Sequence, residues 1–420
     1  ATMSIERTIR VPGDKSISHR ALMLSSLANG RSRLRGLLTS ADVRSTAGVL
    51  RELGVSIPPL GADVTIDGRG LRSLRAPVRE LDCGNSGTTA RLMAGMVASF
   101  PWTSRFTGDE SLSRRPMARV AAPLRQMGAH VDLHDGGVLP MSITGAALRP
   151  LEWKTERASA QVKSAILLAA ATAGVPAVVR EPCRTRDHTE RMLRATGAEV
   201  SVEGVEVRLA PTSELRPLDL RVPADPSSAA YVIALVQLSP GRALAVPDVC
   251  LNETRMGFYG ALRRMGGDVQ VEVEREECGE PVGVIRGSAA VLEGISVEER
   301  DVPSMIDELP LLACLAARAR GETVITGAGE LRVKESDRIT AVVESLRAIG
   351  ADAEETPDGM RVVGGDRPLR GMARTWGDHR LAMAFGILAA LPGNEIVVDD
   401  PGCVEISYPA FWDDVRRATA

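Results

Sequence analysis

Aromatic side chains are scarce, Phe, Trp and Tyr together making up 3% of the 420 residues, and the 51 Lys and Arg do not exceed the 54 Asp and Glu. A chain with neither stacking aromatics nor a basic excess lacks the usual means of holding nucleic acid. Cysteine is sparse too. Cys83, Cys183, Cys250, Cys278, Cys314 and Cys403 lie far apart, with no Cys-x-x-Cys pair and no histidine cluster nearby. That spacing argues against a zinc site or a disulfide framework, so no metal and no cofactor is expected. No run reaches the ~18 apolar residues that span a bilayer, and the first residues show no basic stretch followed by an apolar core. A cytoplasmic protein is therefore expected.

What the chain does have is a globular composition, 44% hydrophobic and 25% charged, and enough length for two or three domains of ~150 residues. Its most informative feature is a repeated pattern, Leu-Arg-x-x-Gly, found at Leu50–Gly54, Leu124–Gly128, Leu193–Gly197, Leu262–Gly266 and Leu346–Gly350. The copies recur at roughly one sixth of the chain, the signature of stacked units. Each copy ends a helix-like run at a glycine, the residue that best adopts the left-handed conformation of a helix C-cap. After each comes a candidate hairpin. AHVDLH-DGG-VLPMSIT and AEVSV-EG-VEVRLA alternate around a glycine turn; GVSIPPLGADVTIDG and GADAEETPDGMRVVGG are looser versions.

A second apolar helix precedes each copy, and a sixth such helix precedes the C-terminal segment. The fold is therefore expected to be α/β, built from six helix-strand-helix-hairpin units, three in each of two lobes. Residues 14–226 form the first lobe in this reading; residues 1–13, through a strand in SIERTIRV, join residues 227–420 in the second. A solenoid scaffold for binding alone fits poorly with so long a unit and such unequal connections.

Several helix starts carry cations: Lys15, Arg20, Arg91, Lys163 and Arg380. The loops SRRPM, RTRDHTE and RVKESDR repeat the arrangement. A helix N-terminus already bears partial positive charge, so a cation there is unfavourable unless an anion offsets both. Recurrence of that conflict points to small anionic ligands, bound in a cleft that closes between the lobes.

These features converge with longer motifs: Pro12-Gly13-Asp14-Lys15-Ser16-Ile17-Ser18-His19-Arg20, Gly84-Asn85-Ser86-Gly87-Thr88, Arg114-Arg115-Pro116-Met117, Ser159-Ala160-Gln161-Val162-Lys163-Ser164, Arg186-Asp187-His188-Thr189-Glu190, Pro303-Ser304-Met305-Ile306-Asp307-Glu308, Arg332-Val333-Lys334-Glu335-Ser336-Asp337-Arg338 and Asp378-His379-Arg380. In this order, over nearly the whole chain, they resemble the enolpyruvylshikimate-phosphate synthases, a family of enolpyruvyl transferases. The resemblance implies transfer of the enolpyruvyl group of phosphoenolpyruvate to the 5-hydroxyl of 3-phosphoshikimate, through a tetrahedral ketal phosphate that loses phosphate. This is a step of aromatic amino-acid biosynthesis.

Carried over residue by residue, the resemblance implies that Lys15, Ser16, Arg20, Ser159, Ala160 (through its backbone), Gln161, Arg186, Asp307 and Lys334 hold 3-phosphoshikimate. Lys15, the backbone at Gly87, Arg115, Gln161, Arg338 and Arg380 would hold phosphoenolpyruvate. Asp307 would take the hydroxyl proton, Glu335 would protonate the methylene carbon, and Lys15 would protonate the leaving bridge. His19, His188 and His379 are expected behind the site rather than in it. Gly87, lacking Cβ, implies sensitivity to glyphosate in the phosphoenolpyruvate site. A monomer with no nucleic-acid or membrane partner is expected.

Two departures stand out. Ile406 occupies a place near the C-terminus where the family often has lysine, and Arg184-Thr185-Arg186-Asp187 follows one branch of the family, so Thr185 is carried over less firmly than Arg186. A related transferase acting on UDP-N-acetylglucosamine uses a loop cysteine, absent here between Ser99 and Pro116. RNA 3′-phosphate cyclases, a more distant likeness, fit neither the charge nor the aromatic content. A catalytically dead binding paralogue fits poorly with the presence of Lys15, Asp307, Glu335 and Arg338.

Overall fold

Each copy of the Leu-Arg-x-x-Gly pattern closes a helix in the same way. Leu50, Leu124, Leu193, Leu262 and Leu346 are fully buried, and all five glycines have positive φ, between 84° at Gly54 and 116° at Gly128. The glycine N–H donates to the carbonyl of the pattern's arginine, and the next residue's N–H donates to the carbonyl of its leucine, as in Val55 to Leu50 and Ala198 to Leu193. This is the Schellman closure, which satisfies carbonyls that a helix end otherwise leaves open. The arginine has a second task that the pattern alone did not reveal. Its Nε donates to the backbone oxygen six residues on, from Arg51 to Ile57, Arg125 to Val131, Arg194 to Val200, Arg263 to Val269 and Arg347 to Ala353. Leucine thus seats the helix, glycine ends it, and arginine fastens the outgoing chain.

The computed structural model describes residues 6–420. Twelve α-helices run through these residues in order: α1 (Lys15–Leu27), α2 (Ala41–Glu52), α3 (Gly87–Val97), α4 (Ala118–Met127), α5 (Ala160–Ala173), α6 (His188–Ala195), α7 (Pro226–Gln237), α8 (Gly257–Arg264), α9 (Leu309–Ala316), α10 (Arg338–Ala348), α11 (His379–Ala389) and α12 (Phe411–Thr419). Small mixed sheets lie between them, so the α/β expectation holds. In four sheets of the described residues a strand runs parallel to the next, which then pairs antiparallel with the far strand of a hairpin. Ser296–Val297, Glu322–Ile325, Gly359–Val363 and Asp352–Thr356 are one such set.

The hairpins expected at His130–Thr144, Val200–Leu209 and Asp352–Val363 are present and antiparallel. The one expected at GVSIPPLGADVTIDG is not. Only Asp63–Arg69 is a strand there, and it pairs antiparallel with Asn29–Arg35. Pro58 and Pro59 lack the N–H groups that a ladder needs. Of SIERTIRV, Glu6–Thr8 is a strand, parallel to Ala243–Ala245; residues 4 and 5 lie outside the described residues.

The chain divides into two compact units. One comprises Gly13–Val222 together with Glu276–Glu280; the other comprises residues 6–12, Pro223–Arg275 and Pro281–Ala420. Glu276–Glu280, which the sequence reading groups with the C-terminal residues, falls with Gly13–Val222. Two bonds account for this. Glu280 Oε1 lies 2.7 Å from His188 Nδ1, and Arg191 Nη1 donates to the Gly279 carbonyl at 2.6 Å.

Candidate active site

In the unit of Gly13–Val222 the starts of α1, α3 and α5 are capped by side chains. Asp14 Oδ1 accepts from the Ile17 N–H at 2.8 Å, Ser86 Oγ from Thr89 at 3.1 Å, and Ser159 Oγ from Val162 at 3.4 Å. Gly95 on α3 meets Ala165 on α5 so closely that an added Cβ would lie 2.1 Å from the Ala165 carbonyl oxygen. That approach brings polar groups of the two helices into reach. Gln161 Oε1 accepts from Arg91 Nη1 at 2.9 Å, and its Nε2 donates to Thr88 Oγ1 at 3.0 Å. A hydroxyl chain joins α1, α2 and α3, with His19 Nδ1 2.7 Å from Thr46 Oγ1 and Thr46 Oγ1 2.7 Å from Thr89 Oγ1.

The cations of this unit fall into two kinds. Lys163 Nζ is buried between Glu181 Oε2 at 2.7 Å and Glu190 Oε1 at 2.8 Å. It was expected among the anion ligands; two protein carboxylates already occupy it. Lys15, the first residue of α1, pairs with Asp42 Oδ2 at 3.0 Å. Arg115 is buried and donates to the Asn85 carbonyl at 3.2 Å, Asn85 Oδ1 at 2.7 Å and Ser111 Oγ at 3.0 Å. Arg20 differs from Lys15 and Lys163 and resembles Arg115. Among the described residues the Arg20 side chain donates to the neutral oxygens of Thr189, Ser16 and Ser164. Burial pushes its guanidinium down to about 10, with Glu190 and Asp14 opposing that shift and the like charge of Arg186 adding to it. A buried cation so poorly compensated calls for an anion.

Ser16 and Arg186 are half-buried, and Ala160 opens α5 behind its Ser159 cap. Gly87 opens α3, and a Cβ there would sit 2.5 Å from Arg91 Nη1. Thr185 directs its hydroxyl to Glu181 Oε1 at 2.5 Å.

In the other unit one arginine gathers three carboxylates. Arg338, 1% exposed, directs Nε to Asp378 Oδ2 at 2.7 Å, Nη2 to Glu335 Oε2 at 2.7 Å and Nη1 to Asp307 Oδ1 at 3.4 Å. Burial opposes its charge, but Asp378, Glu335 and Asp307 more than offset that and hold it above its usual range. Asp378 caps α11 through the Arg380 N–H at 2.9 Å and accepts from Ser336 Oγ at 3.1 Å. Asp307 is not the cap of α9, whose cap position is Glu308. Glu308 is buried, with neither carboxylate oxygen hydrogen-bonded to a described residue.

Arg380 is buried with no carboxylate within ion-pair distance among the described residues. Burial lowers its tendency to stay charged, while Tyr231, Asp307, Glu308 and Asp225 outweigh that and raise it. Lys334 follows the 3₁₀ turn Gly329–Val333 and is half-buried, and Ile406 lies in the 3₁₀ turn Pro401–Ile406. His19, His188 and His379 are all buried.

Sequence reasoning gave no role to Asp42, Asp378, Ser164 or Thr189. Asp378 carried a signal, an acidic residue at a helix start two residues before an arginine; the pairing of Asp42 with Lys15 spans 27 residues and carried none.

Known proteins resemble this chain along its whole length. The family model described as EPSP synthase (3-phosphoshikimate 1-carboxyvinyltransferase) matches residues 1–415. A protein of Sulfurihydrogenibium sp. (strain YO3AOP1) named 3-phosphoshikimate 1-carboxyvinyltransferase is 47% identical, over 99% of this chain and 97% of its own. One of the same name from Geobacillus thermodenitrificans (strain NG80-2) is 46% identical, over 98% and 96%. A solved EPSP synthase from Acinetobacter baumannii superimposes with a TM-score of 0.85 at 41% identity, covering 99% of this chain and 96% of that one. The enolpyruvyl transferase NikO from Streptomyces tendae shares the fold, with a TM-score of 0.78 at 18% identity and coverage of 100% and 96%.

Proposed function

Because the chain belongs to the EPSP synthase family, its reaction is transfer of the enolpyruvyl group from phosphoenolpyruvate to 3-phosphoshikimate, and we propose that the residues gathered in its two units carry that reaction out. Asp307 takes the proton of the 5-hydroxyl as its oxygen adds to the central carbon of phosphoenolpyruvate. Glu335 delivers a proton to the methylene, and the tetrahedral ketal phosphate results. Glu335, left as a carboxylate, takes back a methyl proton while Lys15 protonates the bridging oxygen, which expels phosphate and leaves the enol ether. Each step needs a positioned acid or base, and the carboxylates and phosphates of both substrates need fixed cations.

The observation that carries this reading is the shared guanidinium of Arg338, which holds Asp307 at 3.4 Å and Glu335 at 2.7 Å. Two carboxylates with successive proton-transfer roles are thereby tied to one buried group. Arg380 and Arg20, buried with no carboxylate partner among the described residues, are the cations best suited to ligand anions. We assign Arg380 with Lys15, Gly87, Arg115, Gln161 and Arg338 to phosphoenolpyruvate. Arg20 is assigned to 3-phosphoshikimate with Lys15, Ser16, Ser159, Ala160, Gln161, Arg186, Asp307 and Lys334.

We propose further that groups of both units act on one substrate pair; X-ray scattering with and without 3-phosphoshikimate and an unreactive phosphoenolpyruvate analogue, in which compaction is expected, tests it. The reading also takes the enzyme as a cytoplasmic monomer. No described helix is long and apolar enough to cross a membrane.

The deciding assay is phosphate release from phosphoenolpyruvate with 3-phosphoshikimate, using shikimate and UDP-N-acetylglucosamine as controls. Only the first acceptor is expected to support turnover. Asp307→Ala and Glu335→Ala are expected to lower kcat by about a hundredfold or more with folding intact. Near-parental turnover of Asp307→Ala would remove it as the base.

A further inference from the structure

Arg20 is held by two hydroxyl groups that the reaction does not otherwise use. Its Nε donates to Thr189 Oγ1 at 2.7 Å and its Nη2 to Ser164 Oγ at 2.9 Å, while Nη1 donates to the Ser16 carbonyl at 2.9 Å. The two hydroxyls lie 2.7 Å from each other, and both residues are 1% exposed. A guanidinium has five N–H donors in one plane. Three are engaged here, and contact through Nε and Nη2 fixes the plane itself.

The hydroxyl pair is anchored in turn. Ser164 follows Lys163 on α5, and Thr189 precedes Glu190 on α6. Lys163 and Glu190 form the buried ion pair at 2.8 Å, so one pair of adjacent residues locks the helices while the other pair faces Arg20. Lys163, which the sequence offered as an anion ligand, acts at one remove from the ligand.

The choice of hydroxyls has a chemical consequence. A carboxylate at either place would pair with the guanidinium and neutralise it, as Asp378 does for Arg338. Hydroxyls accept the same hydrogen bonds without supplying charge, and the cation keeps its attraction for a ligand.

We infer that the Ser164–Thr189 hydroxyl pair is a positioning device for Arg20, setting the plane of its guanidinium and preserving its charge, and that it thereby determines affinity for the anionic acceptor. This rests on the assignment of Arg20 to 3-phosphoshikimate. The two residues do not touch substrate in this account; they act through Arg20.

The test is a double-mutant cycle in the intact enzyme, with KM for each substrate and kcat measured separately. Thr189→Val keeps the shape and removes the acceptor. It is expected to raise KM for 3-phosphoshikimate by about tenfold, while KM for phosphoenolpyruvate and kcat stay within about twofold. Thr189→Ser restores the hydroxyl and is expected to return the acceptor KM to near the parental value. Arg20→Lys alone raises that KM, and in this background Thr189→Val adds less than about twofold, because the lysine lacks the Nε contact. Ser164→Ala gives the same pattern and serves if Thr189→Val does not fold.

A raised acceptor KM in Arg20→Lys with no change in Thr189→Val and Ser164→Ala overturns the inference and leaves the Arg20 assignment standing. No change in Arg20→Lys overturns that assignment itself. Equal losses in both KM values and kcat, not rescued by Thr189→Ser, mark a general packing role and also overturn the inference.

Discussion

Arg338 and Asp378 meet in a two-pronged ion pair, Nε to Oδ2 at 2.7 Å and Nη2 to Oδ1 at 3.2 Å, with the side chains 1% and 0% exposed. Asp378 belongs to a helix start 40 residues further along the chain. It fixes the guanidinium from behind, so that Nη1 and Nη2 reach Asp307 and Glu335 at set distances.

Asp378→Ala is therefore expected to lower kcat by about a hundredfold through misplacement of Asp307 and Glu335. Breaking a buried pair from one side is also expected to destabilise the fold by about 3–5 kcal/mol. Asp378→Asn, which keeps the α11 cap and one hydrogen bond, should fall between. Steady-state kinetics with thermal unfolding checks both; parental kcat in Asp378→Ala would show that Arg338 holds its place without it.

Gly87 bears on inhibition. A Cβ at this position would sit 2.5 Å from Arg91 Nη1, while Arg115 Nη1 is 3.6 Å away. The nearer atom ends a flexible side chain, and moving it strains the Arg91–Gln161 bond of 2.9 Å. Overpacking of this kind amounts to about 1–3 kcal/mol. Gly87→Ala should accordingly weaken glyphosate inhibition more than it raises KM for phosphoenolpyruvate, the inhibitor being the longer molecule. Inhibition curves beside the Michaelis constant decide it, and equal losses would point to a disturbed helix start.

Lys163 tests the distinction between a ligand cation and a structural one. Lys163→Met leaves Glu181 and Glu190 buried together and unpaired, and a loss of about 3–5 kcal/mol is expected in denaturant unfolding. Adding Glu190→Gln removes one of the charges and should recover part of the loss. A variant that kept its stability but showed raised KM values would return Lys163 to the substrate site.

His19 supplies a pH dependence. Burial, with Lys15 and Arg20 adding, holds its imidazole well below the usual range. The unfolded chain has the ordinary value near 6.5, so below that pH it takes up a proton that the folded chain does not. The His19 contribution is thus complete above about pH 6.5 and is lost as the pH falls, at up to ~1.4 kcal/mol per pH unit. His19→Asn, which keeps a group facing Thr46, should flatten the decline of stability between pH 7 and 5 relative to the parent. Parallel unfolding curves for the two would show that His19 does not titrate differently on folding.

What was legible in the sequence is what local physics decides. The five glycines had to be left-handed because helices ended there, and each is. Pro58 and Pro59 carried the opposite warning, and the hairpin expected across them is missing. Cations at helix starts were visible as a class, but their partners were not. Lys163 and Arg20 looked alike in the chain; the carboxylates of Glu181 and Glu190 and the hydroxyls of Ser164 and Thr189 separate them, and only tertiary packing delivers those groups. The same holds for Glu308, whose burial beside Asp307 no periodicity announced.

The strand Glu6–Thr8 pairs with residues that the ribosome makes more than half the chain later, at Ala243–Ala245. Synthesis from the N-terminus therefore completes all of Gly13–Val222 while this strand still has no neighbour. That segment gathers almost one whole unit, missing only Glu276–Glu280. The nascent chain thus has a packed body to form early, domain by domain, and a free leading strand to carry until the rest arrives. Its pairing closes a loop over that entire body, and the entropy of closure is smaller when the loop is already compact. A strand made before Gly13–Val222 is in this way among the last elements to find its place.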